Sequence, residues 1–139
     1  EAMLKEGVTP LHSAEELYKT CNVVSLHIPA TAETKNSINY ALLSRMPKGA
    51  LLVNTARKEV INEDELIQLM QDRADFKYVT DIMPAADMKF KTLFEGRYFA
   101  TPKKMGAQTA EANINAGIAA ANQIVDFFTT GNTRFQVNK

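Results

Sequence analysis

Apolar positions gather into four short runs along the chain: VVSLHI at 23–28, ALLVNT at 50–55, FKYVTDI at 76–82 and YFAT at 98–101. Each is rich in β-branched or aromatic residues and gives way to polar or turn-forming ones, the pattern of buried strands. Their starts lie 27, 26 and 22 residues apart, enough for a crossover between successive parallel strands. That rhythm predicts an α/β fold rather than a sandwich. Helix starts are marked between the runs. Ser13 with Glu16 forms a capping-box pattern ahead of a short helix over 14–20, and Asn62 with Glu65 forms a second. The second box is flanked by Ile61 and Leu66 at staple positions and opens a helix over 63–71 that presents Leu66, Ile67 and Met70 to the sheet. A weaker helix over 39–45 is closed early by Pro47 and Gly49. The last periodic segment places Ile114, Ile118, Ala121, Val125 and Phe128 on one face of a long helix, predicted to pack, with Gly131 as its C-cap. The tail TRFQVNK that follows is expected to dock on another part of the structure.

Composition narrows the function classes. The 139 residues carry 16 basic and 16 acidic side chains, so no positive field steers nucleic acid or an anionic membrane surface toward the chain. An apolar share of 45% suits a chain with a core, which argues against disorder. Lone Cys21 excludes an internal disulfide and a cysteine-based zinc site, and no metal is expected. No apolar run approaches the ~18 residues of a membrane span, and the N-terminus lacks signal-peptide order. A cytoplasmic protein is expected.

Polar residues collect where the strands end: His27 to Thr31, Asn54 to Arg57, Asp81 to Asp87 and Thr101 to Gly106. Parallel α/β sheets build their sites there. Dinucleotide binding also needs a glycine-rich turn opening a helix. The six glycines, at 7, 49, 96, 106, 117 and 131, nowhere stand in G-x-G spacing. Taken alone, the sequence is at best the second half of a doubly wound, Rossmann-type parallel sheet followed by a long C-terminal helix.

The runs VVSLHIPATAETKNSI (23–38), LLSRMPKGALLVNTAR (42–57), VTDI (79–82) and TPKKMGAQTAEA (101–112) resemble the NAD-dependent D-isomer-specific 2-hydroxyacid dehydrogenases. The likeness is greatest to the branch that oxidises D-3-phosphoglycerate, and it covers essentially the whole chain. KGALLVNTARKEVINEDEL is the most specific part, although Lys58 stands where the family usually has glycine. The resemblance implies NAD as cofactor, a small 2-hydroxy acid as substrate, and a homodimer. It also implies that residues 1–106 form the later half of an NAD-binding domain. Residues 107–139 would then return to a substrate domain, and the glycine-rich half would lie upstream in the same protein. Other D-2-hydroxyacid dehydrogenases, glyoxylate reductases, and a noncatalytic NAD-binding scaffold or sensor are the alternatives.

The resemblance makes Arg57 the residue that holds the substrate carboxylate, a task for which its planar pair of donors is suited. Asp81 is expected to face the nicotinamide, and His27, Pro29, Thr55 and Ala56 to border the cofactor. Asn54 and Thr55 are also read as supplying backbone geometry and local bonding. The family's Thr-Pro-His is here Thr101, Pro102, Lys103, Lys104, so a lysine stands in the histidine's place. Aligned from the left it is Lys103, and aligned from MGAQT it is Lys104, the preferred choice. The glutamate that would partner the histidine falls on Ala86, with Asp87 one place further on. A neutral lysine amine can take a proton as an alcohol is oxidised, and the ammonium can return it.

Overall fold

The computed structural model describes residues 6–104 and 109–138. The chain divides into two compact units, 1–103 and 104–139. The sequence boundary between 106 and 107, and Gly106 itself, lie outside the described residues.

The first unit contains four strands, β1 (Val23–Leu26), β2 (Leu51–Asn54), β3 (Lys77–Thr80) and β4 (Tyr98–Ala100). They form one parallel sheet in the order β1-β2-β3-β4, the second half of a Rossmann-type fold. All four expected strands are present, each shorter than its apolar run. Helix α1 (Ala14–Thr20) precedes β1, and α2 (Tyr40–Leu43), α3 (Glu63–Asp72) and α4 (Asp87–Leu93) join successive strands, with a 3-10 turn at Lys58–Val60. The core, including Leu43, Leu52, Leu66, Leu69, Met70, Phe76 and Phe90, lies between these helices and one sheet face.

The other face differs from the expectation of strands buried on both sides. Val24, Leu52 and Tyr78 point into the core, whereas Val23 and Phe99 are both 58% exposed and Leu51, Val53 and Val79 are only partly covered. Period-two alternation sends successive side chains to opposite faces, and the crossover helices cover one of them. A short apolar run cannot distinguish one covered face from two.

Local signals account for most helix boundaries. Asn62 Oδ1 accepts from Glu65 N at 3.3 Å, as the cap requires. The reciprocal bond is redirected: Asn62 N donates to Ile38 O, and the Glu65 carboxylate accepts from Asn62 Nδ2 and Tyr40 N. Ser13 likewise caps Glu16 N, while Glu16 accepts from His12 N rather than from the cap amide. In α2, bonds from Arg45 N to Leu42 O and from Met46 N to Leu43 O tighten the last turn before Pro47. No local start signal marks α4, since Ala86 at its N-cap has no capping side chain. The cap comes from α3 instead, where the Glu63 carboxylate accepts from Ala85 N at 3.0 Å and Ala86 N at 2.9 Å.

The second unit is built on α5 (Ala110–Thr130), capped by Thr109 and ended by Gly131 at φ 74°. Its periodicity is as expected, and among the described residues its apolar stripe is exposed rather than packed. Ile114, Ile118, Val125 and Phe128 are all exposed, Phe128 by 80%. A helical moment specifies which face is apolar without supplying the surface that covers it. The tail lies beside its own helix, where Ile124, Phe127, Asn132 and Phe135 are among the residues bordering a groove of about 470 Å³.

Candidate functional site

β1 and β2 end side by side, with Leu26 paired to Asn54, so the segments leaving them form adjoining walls. Bonds from Ile38 N to Val60 O and from Asn36 N to Glu59 O fasten the loop after β1 to the turn after β2. The walls enclose a cleft of about 320 Å³ lined by His27, Ile28, Pro29, Thr55, Ala56 and Arg57. Five sequence-predicted site residues are thus brought together. His27 is exposed, and its Nε2 lies 2.9 Å from Ser25 Oγ.

Arg57 is exposed at the rim, where its Nη1 donates to Ala56 O at 2.8 Å. The loop beneath it is held by Asn54, whose side chain is fully buried. Asn54 Oδ1 accepts from Ala56 N at 3.0 Å, and Nδ2 donates to Arg57 O at 3.0 Å. Local bonding is therefore what Asn54 does, as its sequence reading suggested.

Asp81 follows β3, and its amide donates to Asn54 O at 3.2 Å, which seats it beside the Arg57 loop. One carboxylate oxygen, Oδ1, is buried without a hydrogen-bond partner. A buried acceptor without a donor costs on the order of 1–3 kcal/mol, more for a charged group, so such an atom marks a place for an external donor. Thr80, which the sequence reading passed over, is also buried; its hydroxyl reaches Asn54 O at 2.8 Å and Ile82 O at 2.9 Å and accepts from Ile82 N. A threonine inside an apolar strand carries no sequence signal of such a role.

Lys103 is exposed shortly after β4, and its carbonyl accepts from Thr101 Oγ1. Lys104 opens the second unit. Asp87 heads α4 and is buried, with Oδ1 accepting from the Tyr98 hydroxyl at 2.7 Å and Oδ2 paired with Lys91 Nζ at 2.7 Å. Lys91, followed by Tyr98, holds this carboxyl below the usual aspartate range. Both of its oxygens are engaged in joining α4 to β4.

Residues 1–102 match the family described as D-isomer specific 2-hydroxyacid dehydrogenase, NAD binding domain. The chain belongs to that family. It is 34% identical over 134 residues to a D-3-phosphoglycerate dehydrogenase of Haemophilus influenzae, a match covering 92% of this chain and 32% of that protein. It is 32% identical over 114 residues to a hydroxypyruvate reductase of Thermotoga maritima, covering 79% of this chain and 37% of that one. Among solved structures, the NAD+-bound 3-phosphoglycerate dehydrogenase of Entamoeba histolytica superposes with a TM-score of 0.81 at 51% identity, over 96% of this chain and 45% of that one. The chain spans about a third of the length of these curated relatives. Among the described residues, no helix is long and apolar enough to cross a membrane.

Proposed function

We propose that this chain supplies the nicotinamide side of a cytoplasmic, homodimeric NAD-dependent dehydrogenase. The complete protein oxidises D-3-phosphoglycerate to 3-phosphohydroxypyruvate, which opens serine synthesis. The observation that carries the reading is an exposed Arg57 on the cleft after β2 and, on a turn bonded to the end of the same strand, an Asp81 carboxylate with a buried, unpartnered oxygen. NAD fits that arrangement, because a nicotinamide carboxamide offers N–H donors and Asp81 Oδ1 lacks one. When bound, NAD supplies the hydride acceptor. Asp81 orients the ring through its carboxamide, and His27, Pro29, Thr55 and Ala56 border the cofactor. Arg57 grips the acid's carboxylate through paired donors and stabilises charge on the reacting oxygen. Lys104, with Lys103 as the other choice, takes the alcohol proton during oxidation and returns it in reduction.

Residues 1–106 form the later half of the NAD-binding domain in this reading, and 107–139 return to the substrate domain. The phosphorylated substrate is favoured by the 51% identity to the Entamoeba histolytica dehydrogenase. The likeness to the Thermotoga maritima reductase supports a second reading, another D-2-hydroxyacid dehydrogenase.

Steady-state kinetics on the complete protein with NAD and D-3-phosphoglycerate, D-glycerate or D-lactate tests the assignment. Phosphoglycerate is expected to be preferred. Arg57→Lys is expected to lower kcat/KM at least about tenfold, since a point charge cannot hold a carboxylate bidentately. Lys104→Met is expected to lower kcat by roughly 10²-fold with little change in NAD affinity, and Lys103→Met by less. Unchanged efficiency in Arg57→Lys removes that residue from the site. Near-normal turnover in both lysine variants and in their double variant removes the lysine step.

A further inference from the structure

Asn54 and Thr80 face each other across β2 and β3 in register, on the covered side of the sheet. Their row is completed by Leu26 and Ala100. Asn54 is 0% exposed and Thr80 1%. Interior polar groups of this kind add little net stability compared with apolar residues of the same shape, so their value lies in what they hold in place.

The bonds run to both sides of the site. Asn54 Oδ1 takes the Ala56 amide, and the carbonyl of that same residue takes the Arg57 guanidinium. Asn54 Nδ2 closes the loop by donating to Arg57 O. On the other side, the Asn54 backbone carbonyl receives the Thr80 hydroxyl at 2.8 Å and the Asp81 amide at 3.2 Å. The Thr80 hydroxyl in turn accepts from Ile82 N at 3.0 Å, so it brackets Asp81 from both neighbours. One buried residue thus anchors the Arg57 loop through its side chain and the Asp81 turn through its carbonyl.

We propose that Asn54 and Thr80 are a pair of positioning residues: Asn54 aims the Arg57 guanidinium at the substrate carboxylate, Thr80 aims Asp81 at the nicotinamide, and the bond between them sets the spacing of the two. The inference rests on the roles assigned to Arg57 and Asp81 above. Neither Asn54 nor Thr80 touches substrate or cofactor; each acts through its neighbour. Misplacement of a binding group by about 1 Å is enough to cost on the order of 10²-fold in rate, so a two-bond anchor of this kind controls catalysis at a distance.

The test uses the complete protein and separates binding from turnover. Asn54→Asp keeps the acceptor for Ala56 N and removes the donor to Arg57 O. It is expected to raise KM for the hydroxy acid, and the inhibition constant of oxalate as an unreactive carboxylate probe, about tenfold. The NADH dissociation constant, read by fluorescence titration, is expected to stay within about twofold. Thr80→Val is expected to weaken NADH about fivefold, and Thr80→Ser, which retains the hydroxyl, to restore it to within about twofold. Should Asn54→Asp fail to fold, the valine and serine variants at Thr80 decide the matter through NADH binding alone. Variants that lower only the melting temperature or active fraction, with KM, oxalate inhibition and NADH affinity unchanged, overturn the proposal in favour of a purely structural role. Failure of the underlying reading appears differently: Arg57→Lys would then leave oxalate inhibition unchanged whatever the Asn54 variants do.

Discussion

Tyr98 and Lys91 each reach one oxygen of Asp87 at 2.7 Å, and this small network decides the role of a carboxylate that lies one place past the expected partner of a catalytic base. Burial, then Asp87 itself, pushes the Tyr98 phenol far up, so it stays a proton donor to the carboxylate at all ordinary pH values. Lys91 and Tyr98 hold the Asp87 carboxyl below its ordinary value, so the unfolded chain binds that proton more readily than the folded protein. The stability that results is fully present above an aspartate's ordinary value of about 4 and is lost as pH falls through the lower folded value. Tyr98→Phe is therefore expected to cost about 1.5–3 kcal/mol at pH 7, the range for a hydrogen bond to a charged group, and less at pH 3. Urea denaturation at the two pH values checks this. An equal loss at both would mean that the carboxylate's charge is not what the phenol stabilises.

Element boundaries are joined by side chains that travel between them, as at the end of α3. Arg73 donates from Nη1 to Met46 O at 2.7 Å and from Nη2 to Pro47 O at 2.8 Å, while Nη2 also pairs with Asp75 Oδ2 at 2.7 Å. Asp75 in turn accepts from Gly49 N, so the turn entering β3 is clamped to the turn entering β2. Arg73, then the Gly49 amide, keeps the Asp75 carboxyl well below the usual range. Lysine cannot reach two carbonyls and a carboxylate from one planar head. Arg73→Lys is expected to lower the unfolding free energy by about 1–3 kcal/mol, measured by urea denaturation, because it leaves partly buried carbonyls unpaired. A change below about 0.5 kcal/mol would show the clamp to be an ordinary surface contact. The same kind of distant bond explains α4, whose start was not legible locally. Glu63 reads as a helix-dipole charge in the sequence, yet its carboxylate caps a helix 24 residues later in the chain.

For the whole chain, the sequence holds no glycine-rich phosphate turn to complete the cleft proposed for the cofactor, since none of the six glycines stands in G-x-G spacing. The 139-residue chain alone is expected to show no saturable NAD binding below millimolar concentration by titration calorimetry. Micromolar affinity would mean that the β1 and β2 ends bind the dinucleotide without that turn. Sequence by itself determined the four strands, the helices other than α4, the parallel topology implied by long connections, and the polar clusters that follow β1 and β2. Those features follow from period, cap and connection length, which are local properties. The tertiary structure decided that, among the described residues, one sheet face is only partly covered and the apolar stripe of α5 is exposed, and that Asp87 turns to Tyr98 and Lys91. It also placed Asn54 between Arg57 and Asp81. Asn54 to Thr80 spans 26 positions and Glu63 to Ala86 spans 23. Contacts at that distance exist only once the sheet register brings strand ends together, and a pattern with a period of two or 3.6 residues carries no information about them.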